Sequence, residues 1–299
     1  MDTSVDQDPL SSPRPIDPKH RMEGDGQFGT LWVIAVPIGN LEDITLRAIR
    51  LLEKMDVIAC EDTRTTRQLL QLLNLKTPSL IACHEHNEEE QIQKMIHLLE
   101  QGKDIGLVSD AGTPNISDPG YRVISAVRQA GFAISPIPGP CAAITALSVS
   151  GLPTHRFRFI GFLPAKGNGR RKALEGLKSD PDTLIFYESP YRLNDFLKDA
   201  FQILGGHRHG VVAREMTKRY EEFRRGTLEQ LAHAPGVNRG EVVILIQGQS
   251  AQEQADLLDL DALVQEVLTL DLPPSKAAKI LSKRSHLTRQ QAYELLQKK

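Results

Sequence analysis

The sequence is short of several things, and each shortage excludes something. Its 299 residues include three cysteines, one tryptophan and only 5% aromatics. Cys60, Cys83 and Cys141 are odd in number, far apart and never spaced C-x-x-C, so neither a disulfide framework nor a cysteine-rich zinc site is indicated. There is no run of about 18 apolar residues, so no membrane-crossing helix is expected. In place of a basic and then apolar signal segment the first residues offer Asp2, Asp6, Asp8 and scattered prolines, and the chain is expected to be cytoplasmic. Charge of one sign is not in excess either. With 36 Lys+Arg against 38 Asp+Glu the net charge is -2, so wholesale polyanion binding is excluded and any nucleic-acid site must be regional. G-x-x-x-x-G-K-[ST] is absent, which disfavours a nucleoside triphosphate as ligand.

What remains is a globular balance, 40% hydrophobic, enough for one large domain or two ordinary ones. Residues 1–29 hold four prolines and three glycines with little apolar side chain to offset the entropy of ordering, and read as a disordered arm. Gly24-Asp-Gly26-Gln-Phe-Gly29 matches G-x-G-x-x-G literally but precedes the first strand, so it lacks the strand-turn-helix setting of a dinucleotide fingerprint.

From residue 30 the pattern alternates buried β-branched runs (31–36, 57–60, 80–83, 105–109, 132–137) with helical periodicity. Ile44, Ala48, Leu51, Leu52 and Met55 share one helical face, as do Ile92, Met95, Ile96 and Leu99. Five such β-α units predict a mainly parallel sheet covered on both faces, an N-terminal α/β domain over 30–143. Strands near 157–160, 183–187, 210–214 and 241–247, with a hairpin arm at 220–225, predict a second α/β domain over 144–249.

Residues 250–299 begin as an acidic linker and end as a small basic helical module. Residues 250–272 hold six acids and no Lys or Arg; 273–299 hold seven Lys+Arg and one acid. Ala277, Ile280 and Leu281 mark one helix, and Thr288 with Gln291 forms a capping box for the next. The pair reads either as a helix-turn-helix-like module or as a solvated helical cap with a basic exterior.

In an open α/β sheet ligands bind beyond the carboxyl ends of the strands. The segments there are Pro37-Ile-Gly-Asn40, Glu61-Asp-Thr-Arg64, His84-Glu-His-Asn87, Ser109-Asp-Ala-Gly-Thr-Pro114 with Ser117-Asp-Pro-Gly120, and Pro138-Gly-Pro-Cys-Ala142. Glycine and proline in these places leave backbone groups open to a ligand. Any one of them is equally an ordinary tight connection; five on one edge favour a site. His84-Glu85-His86 lacks metal-ligand spacing, so no metal is expected, and Glu88, Glu89 and Glu90 read as the solvated first turn of a helix. In the second domain Lys166, Arg170, Arg171 and Lys172, interleaved with Gly167 and Gly169, read as a mobile basic stretch for a phosphate backbone, with a second basic run at 214–225. Glu188-Ser-Pro-Tyr-Arg192 and Arg214-Glu-Met-Thr-Lys218 place acids and cations where the second sheet opens.

As an ordered set from residue 31 onward, Val36-Pro-Ile-Gly-Asn-Leu41, Glu61-Asp-Thr-Arg64, Ser109-Asp-Ala-Gly-Thr-Pro114, Ser117-Asp-Pro-Gly120, Pro138-Gly-Pro-Cys-Ala-Ala143, Gly161-Phe-Leu-Pro164, Phe186-Tyr-Glu-Ser189 and Ala213-Arg-Glu-Met-Thr-Lys218 closely resemble the ribosomal RNA small subunit methyltransferase I family, a branch of the tetrapyrrole methylase superfamily. Val36 stands where that family usually has threonine, so a hydroxyl contact is missing there. The resemblance implies two α/β domains with S-adenosylmethionine in the cleft between them, usually in a homodimer, and 2'-O-ribose methylation of a cytidine in the decoding region of small-subunit (16S) ribosomal RNA. It implies a cofactor set of Pro37, Asp110, Ala111, Gly112, Thr113, Cys141, Ala142 and Glu188. On chemical grounds Asp110 or Glu188 is expected as proton or orienting acceptor, and Arg214 or Lys218 as electrostatic support. The alternatives are a methylase of porphyrin precursors and a non-catalytic RNA-binding ribosome-assembly factor.

Overall fold

A computed structural model describes residues 28–84, 87–234, 236, 239–270, 272–285 and 287–297, with the side chains of 251–259 outside the description. The arm before Phe28, with Gly24 and Gly26, and the loop residues Glu85 and His86 lie outside the described residues. The chain divides into two compact units, and the break falls between Cys141 and Ala142.

In the first unit β1 (Thr30–Ile34) leads through a 3-10 turn at Leu41–Asp43 to α1 (Leu46–Leu52), then β2 (Val57–Cys60), α2 (Thr63–Leu72), β3 (Ser79–Ala82), α3 (Glu88–Glu100), β4 (Ile105–Val108), α4 (Tyr121–Gln129) and β5 (Ala133–Ile137). The strands form one parallel sheet in the order β3-β2-β4-β1-β5. Period-two alternation sends neighbours along a strand into different cores. Trp32 and Ile34 join Ala48, Leu51 and Leu52 of α1 and Leu70 of α2, whereas Leu31 joins Ile92, Met95 and Leu99 of α3 and Val123 and Val127 of α4. Helices therefore cover both faces, which is why these strands read as continuous apolar runs.

Local chemistry starts the helices where the pattern predicts. The Thr45 hydroxyl accepts the Ala48 amide at 3.0 Å, and the Asp62 carboxylate accepts the Arg64 amide at 2.8 Å. Phe28 and Gly29 are anchored to this unit: the Gly29 amide donates to the Leu99 carbonyl at 2.8 Å, and the Phe28 ring meets Phe132 edge-on at 5.6 Å. Glu88 departs from expectation. It is buried, 5% exposed, and its carboxylate accepts the Val123 amide at 3.4 Å, joining α3 to α4 instead of facing water.

The second unit runs α5 (Ala142–Ser148), β6 (Phe157–Phe162), α6 (Gly167–Glu175), β7 (Thr183–Glu188), α7 (Leu193–Leu204), β8 (His209–Arg214), β9 (Glu222–Thr227), α8 (Leu228–His233) and β10 (Val242–Ile246), then α9 (Ala251–Thr269), α10 (Pro274–Arg284) and α11 (Arg289–Gln297). Its sheet is mixed, ordered β6-β7-β10-β8-β9, parallel only between β6 and β7. The hairpin arm expected at 220–225 is the antiparallel β8–β9 pair. Phe186 and Phe196 are fully buried with ring centroids 5.1 Å apart, each burial contributing about 1.5–3 kcal/mol. α9, α10 and α11 share a small apolar cluster of Val264, Ala278, Leu281 and Ala292. The Thr288 hydroxyl and the Gln291 side chain exchange bonds with each other's backbone at 3.3 and 2.9 Å, the capping box read from the sequence.

The stretch after Lys166 is not a mobile basic loop. It is α6, and Gly169 packs closely, since a Cβ there would lie 3.0 Å from the Pro164 side chain. Arg170 points inward: both it and Asp199 of α7 are 5% exposed, and its Nε and Nη2 donate to Asp199 Oδ2 at 2.7 Å. Arg170 is thus a structural cation that joins α6 to α7, and only Lys166, Arg171 and Lys172 present charge to solvent. Arg170→Ala leaves the buried Asp199 carboxylate with only the longer Arg171 contact at 3.5 Å, so it should cost about 3 kcal/mol in urea unfolding. Lys172→Ala should stay within about 0.5 kcal/mol.

Candidate active site

Strand order alone marks a position in the first unit. β1 and β4 are neighbours, but the chain leaves β1 for α1 on one face and β4 for α4 on the other. The connections cross on opposite faces there, and the region beyond the carboxyl ends is where ligands of doubly wound sheets bind.

Three segments meet there. Val36, after β1, exchanges two backbone hydrogen bonds with Gly112, after β4: the Val36 amide donates at 2.9 Å and the Gly112 amide at 3.1 Å. Gly112 sits at φ +77°, and a Cβ on it would lie 3.2 Å from Ile38 Cγ2. Only glycine takes that conformation without strain. The Thr113 hydroxyl donates to the Pro140 carbonyl at 2.9 Å, securing the segment after β5. Gly139 in that segment lies so close to β1 that a Cβ would come within 2.9 Å of the Ala35 Cβ. The Ser109 hydroxyl donates to the Ala111 carbonyl at 3.0 Å and tightens the turn after β4. Pro37, Asp110, Ala111, Gly112, Thr113 and Cys141 therefore share one knotted group of turns, with Asp110 and Ala111 exposed at its rim.

The electrostatics are negative. Asp110 Oδ1 accepts the Asp62 amide at 3.1 Å, tying in the segment after β2. Desolvation pushes the Asp110 carboxyl above the usual carboxylate range; the Asp62 hydrogen bond opposes this and the Asp62 charge adds to it. Asp62 itself is held down to about 2 by its hydrogen bonds from Arg64, 2.6 Å away, and so keeps its charge. Burial also raises Glu61, with Asp110 and Asp118 as like-charged neighbours, and raises Asp118, with Asp110 adding to it. Glu61, Cys83, Ser109, Pro119 and Gly120 line a shallow depression over the ends of β2, β3 and β4. Burial pushes the Cys83 thiol up to about 11, so it is inert. Among the described residues no group of three or more His, Cys, Asp or Glu is arranged to hold a metal.

Ala142, Glu188, Arg214 and Lys218 belong to the second unit. Glu188 and Arg214 both pair with Val242 across the sheet, so they stand at one end of it on the same face, two strands apart. Each is engaged within its own unit. Glu188 is 4% exposed, and its Oε1 accepts the Ser189 amide at 2.6 Å and the Arg192 guanidinium at 2.6 and 2.7 Å. Arg214 pairs with Glu222 at 2.9 Å, and Lys218 sits between Glu215 and Glu241 at 3.0 Å from each. The sequence shows acids and cations at this end of the sheet but not that they satisfy one another. It also omits Glu61 and Asp118 from the site set, although both follow strand ends in quoted turns; only their spacing from Asp110 in three dimensions brings them in.

Comparison with known proteins agrees with this geometry. Residues 30–232 match the family model for tetrapyrrole (corrin/porphyrin) methylases. The fold is shared with cobalt precorrin-4 methyltransferase, TM-score 0.57 at 18% identity over 76% of this chain and 98% of that one. Uroporphyrin III C-methyltransferase from Thermus thermophilus gives 0.54 at 17% identity over 73% and 97%. The chain is a methyltransferase of the tetrapyrrole methylase fold. Proteins named ribosomal RNA small subunit methyltransferase I are far closer in sequence: that of Escherichia coli O157:H7 is 45% identical over 269 residues, 88% of this chain and 94% of its own. That of Halalkalibacterium halodurans is 52% identical over 222 residues, 74% and 76% of the two. The chain belongs to the ribosomal RNA small subunit methyltransferase I family within the tetrapyrrole methylases.

The methyl donor of this family is S-adenosylmethionine, and the knotted turns fit it. Gly112 keeps side chains off the backbone, and the carboxylates of Asp110 and Glu61 suit a sulfonium cation. Gly112→Ala should strain the left-handed turn by about 1–2 kcal/mol and loosen the Val36 bridge. Calorimetry should then show weaker donor binding with the second unit's unfolding unchanged.

Proposed function

We propose that this chain methylates the ribose 2'-hydroxyl of a cytidine in the decoding region of 16S ribosomal RNA, in the cytoplasm. The observation that carries the reading is 45% identity, over nearly the whole chain, to relatives named for the small-subunit RNA. The negatively charged turns at the β1–β4 crevice support it chemically. Pro37, Ala111, Gly112, Thr113 and Cys141 are the residues proposed to hold the donor, with Asp110 at the rim.

When bound, S-adenosylmethionine supplies an electrophilic methyl on sulfur. The chain has to hold the hydroxyl in line with it, exclude water and take up a proton. Asp110 is assigned that proton, because an exposed carboxylate with a raised pKa is a stronger base than an ordinary aspartate. Glu188 is assigned to holding the turn before α7, since Oε1 already takes the Ser189 amide and the Arg192 guanidinium. Arg214 and Lys218, clamped by carboxylates, order the second unit's sheet end. Lys166, just before α6, and Lys172 are the exposed cations left for RNA phosphates, with Arg171 also exposed but held by Asn168 at 2.6 Å and Asp199 at 3.5 Å, and without Arg170.

The decisive experiment is methyl transfer from labelled S-adenosylmethionine to undermethylated small subunits, with nucleoside mass spectrometry of the digest. A 2'-O-methylcytidine product is expected; label in a porphyrin precursor alone, or none at all, retires the reading. Asp110→Asn should abolish transfer in a folded protein. Because the active form is the carboxylate and its pKa is raised, wild-type kcat/KM should fall on acidification at a higher pH than an ordinary aspartate would set. An acid limb that persists in a residually active Asp110→Asn protein would assign the titration elsewhere.

A homodimer belongs to the same proposal. Ile144 and Phe162 are about half exposed, and Phe162 packs on Tyr187, whose hydroxyl accepts the Ala143 amide at the start of α5. These half-exposed apolar side chains are the ones proposed to meet a partner surface. Sedimentation equilibrium should give a dimer, and Phe162→Glu should shift it towards monomer.

A further inference from the structure

The β8–β9 hairpin and its loop, residues 215–221, carry five cations, and four of them have hydrogen-bond or ion-pair partners in the fold. Arg214 pairs with Glu222, and Lys218 with Glu215 and Glu241. Arg224 donates to the carbonyls of Leu231 and Ala234 at 3.4 Å, and Arg225 to the Val149 carbonyl at 2.9 Å. The fifth, Arg219, has no hydrogen-bond or ion-pair partner among the described residues. Its guanidinium instead lies 5.6 Å from the centroid of the Tyr220 ring. Both residues are exposed, Tyr220 by 64%.

This tip is rigid. Glu215 and Thr217 take left-handed conformations, φ +50° and +65°, which non-glycine residues keep only where the surroundings enforce them. Here they do: the Glu215 amide donates to the Glu241 carbonyl at 3.0 Å, its carboxylate accepts Lys218 and the Glu241 amide, and the Thr217 amide donates to the Glu221 carboxylate at 2.7 Å. Gly240 faces Glu215 so closely that a Cβ would lie 2.4 Å from Glu215 Cγ. A fold that holds a half-bare aromatic ring and a free guanidinium on a fixed, strained loop offers a preorganised flat surface with positive charge beside it. Unpaired RNA bases are recognised by such surfaces, stacking on an aromatic or guanidinium plane while a cation meets the phosphate.

We propose that Arg219 and Tyr220 form a stacking platform for an unpaired nucleotide of the RNA substrate, the base on the Tyr220 ring and its phosphate at Arg219. The proposal rests on the RNA-methyltransferase reading above and adds where the second unit grips the strand.

The test uses the full chain with Tyr220→Ala, Tyr220→Phe and Arg219→Ala. Each is assayed for affinity to a fluorescein-labelled, unstructured 12-nucleotide RNA and for KM on undermethylated small subunits. Tyr220→Ala should weaken both by roughly ten- to one-hundredfold, Tyr220→Phe should stay near wild type because the ring and not the hydroxyl stacks, and Arg219→Ala should flatten the salt dependence. Donor affinity and thermal midpoint should not change. Wild-type RNA affinity and KM in Tyr220→Ala, or equal damage from Tyr220→Phe, overturns the platform while leaving the methyltransferase reading in place. Tyr220-dependent RNA binding by a wild-type protein that transfers no methyl to subunits keeps the platform and retires that reading.

Discussion

The structure of the first unit turns on two backbone hydrogen bonds between Val36 and Gly112. They join the segments that follow β1 and β4, neighbouring strands whose helices depart to opposite faces. Without them these turns would be independent loops, each free to fray. With them, and with the Thr113 bond to Pro140 and the Asp62 bond to Asp110, the connections after β1, β2, β4 and β5 act as one body. A crevice proposed to hold a cationic donor against a weak nucleophile needs that rigidity, because positioning and preset charge supply most of such a rate.

Charge is used differently in the two units. In the first, carboxylates are gathered at the crevice with their pKa values raised, so the site is electrostatically unfavourable until a cation arrives. In the second, several of the described acids meet a cation at hydrogen-bond distance: Arg170 with Asp199, Arg192 with Glu188, Arg214 with Glu222, Lys218 with Glu215 and Glu241. That pairing explains how a stretch rich in Arg and Lys exposes only a few free charges. It also separates cations that hold the fold from those left to meet a polyanion.

Much of this was legible in advance. The five strands of the first unit and the faces of α1 and α3 follow from apolar runs and helical periodicity, since a doubly covered parallel sheet leaves no freedom to alternate polar residues. The capping box at Thr288 and Gln291 is local in sequence and was equally readable. The set of strand-end turns named the crevice and the family. Arg170 and Glu88 were misread for one shared reason: a charged residue beside glycines or acids reads as solvated until the fold brings its partner, as Asp199 lies 29 residues from Arg170 and Val123 35 residues from Glu88.

The sequence by itself determined the order and type of the elements, the glycines and prolines at the strand ends, and the kinship with the methyltransferase family, because these depend on residues near one another along the chain. Tertiary structure alone decided which charges remain free, which carboxylates share a crevice and which aromatic ring stays bare on a fixed loop. Those properties are set by distances between residues tens of positions apart, and burial, pairing and pKa all follow from such distances.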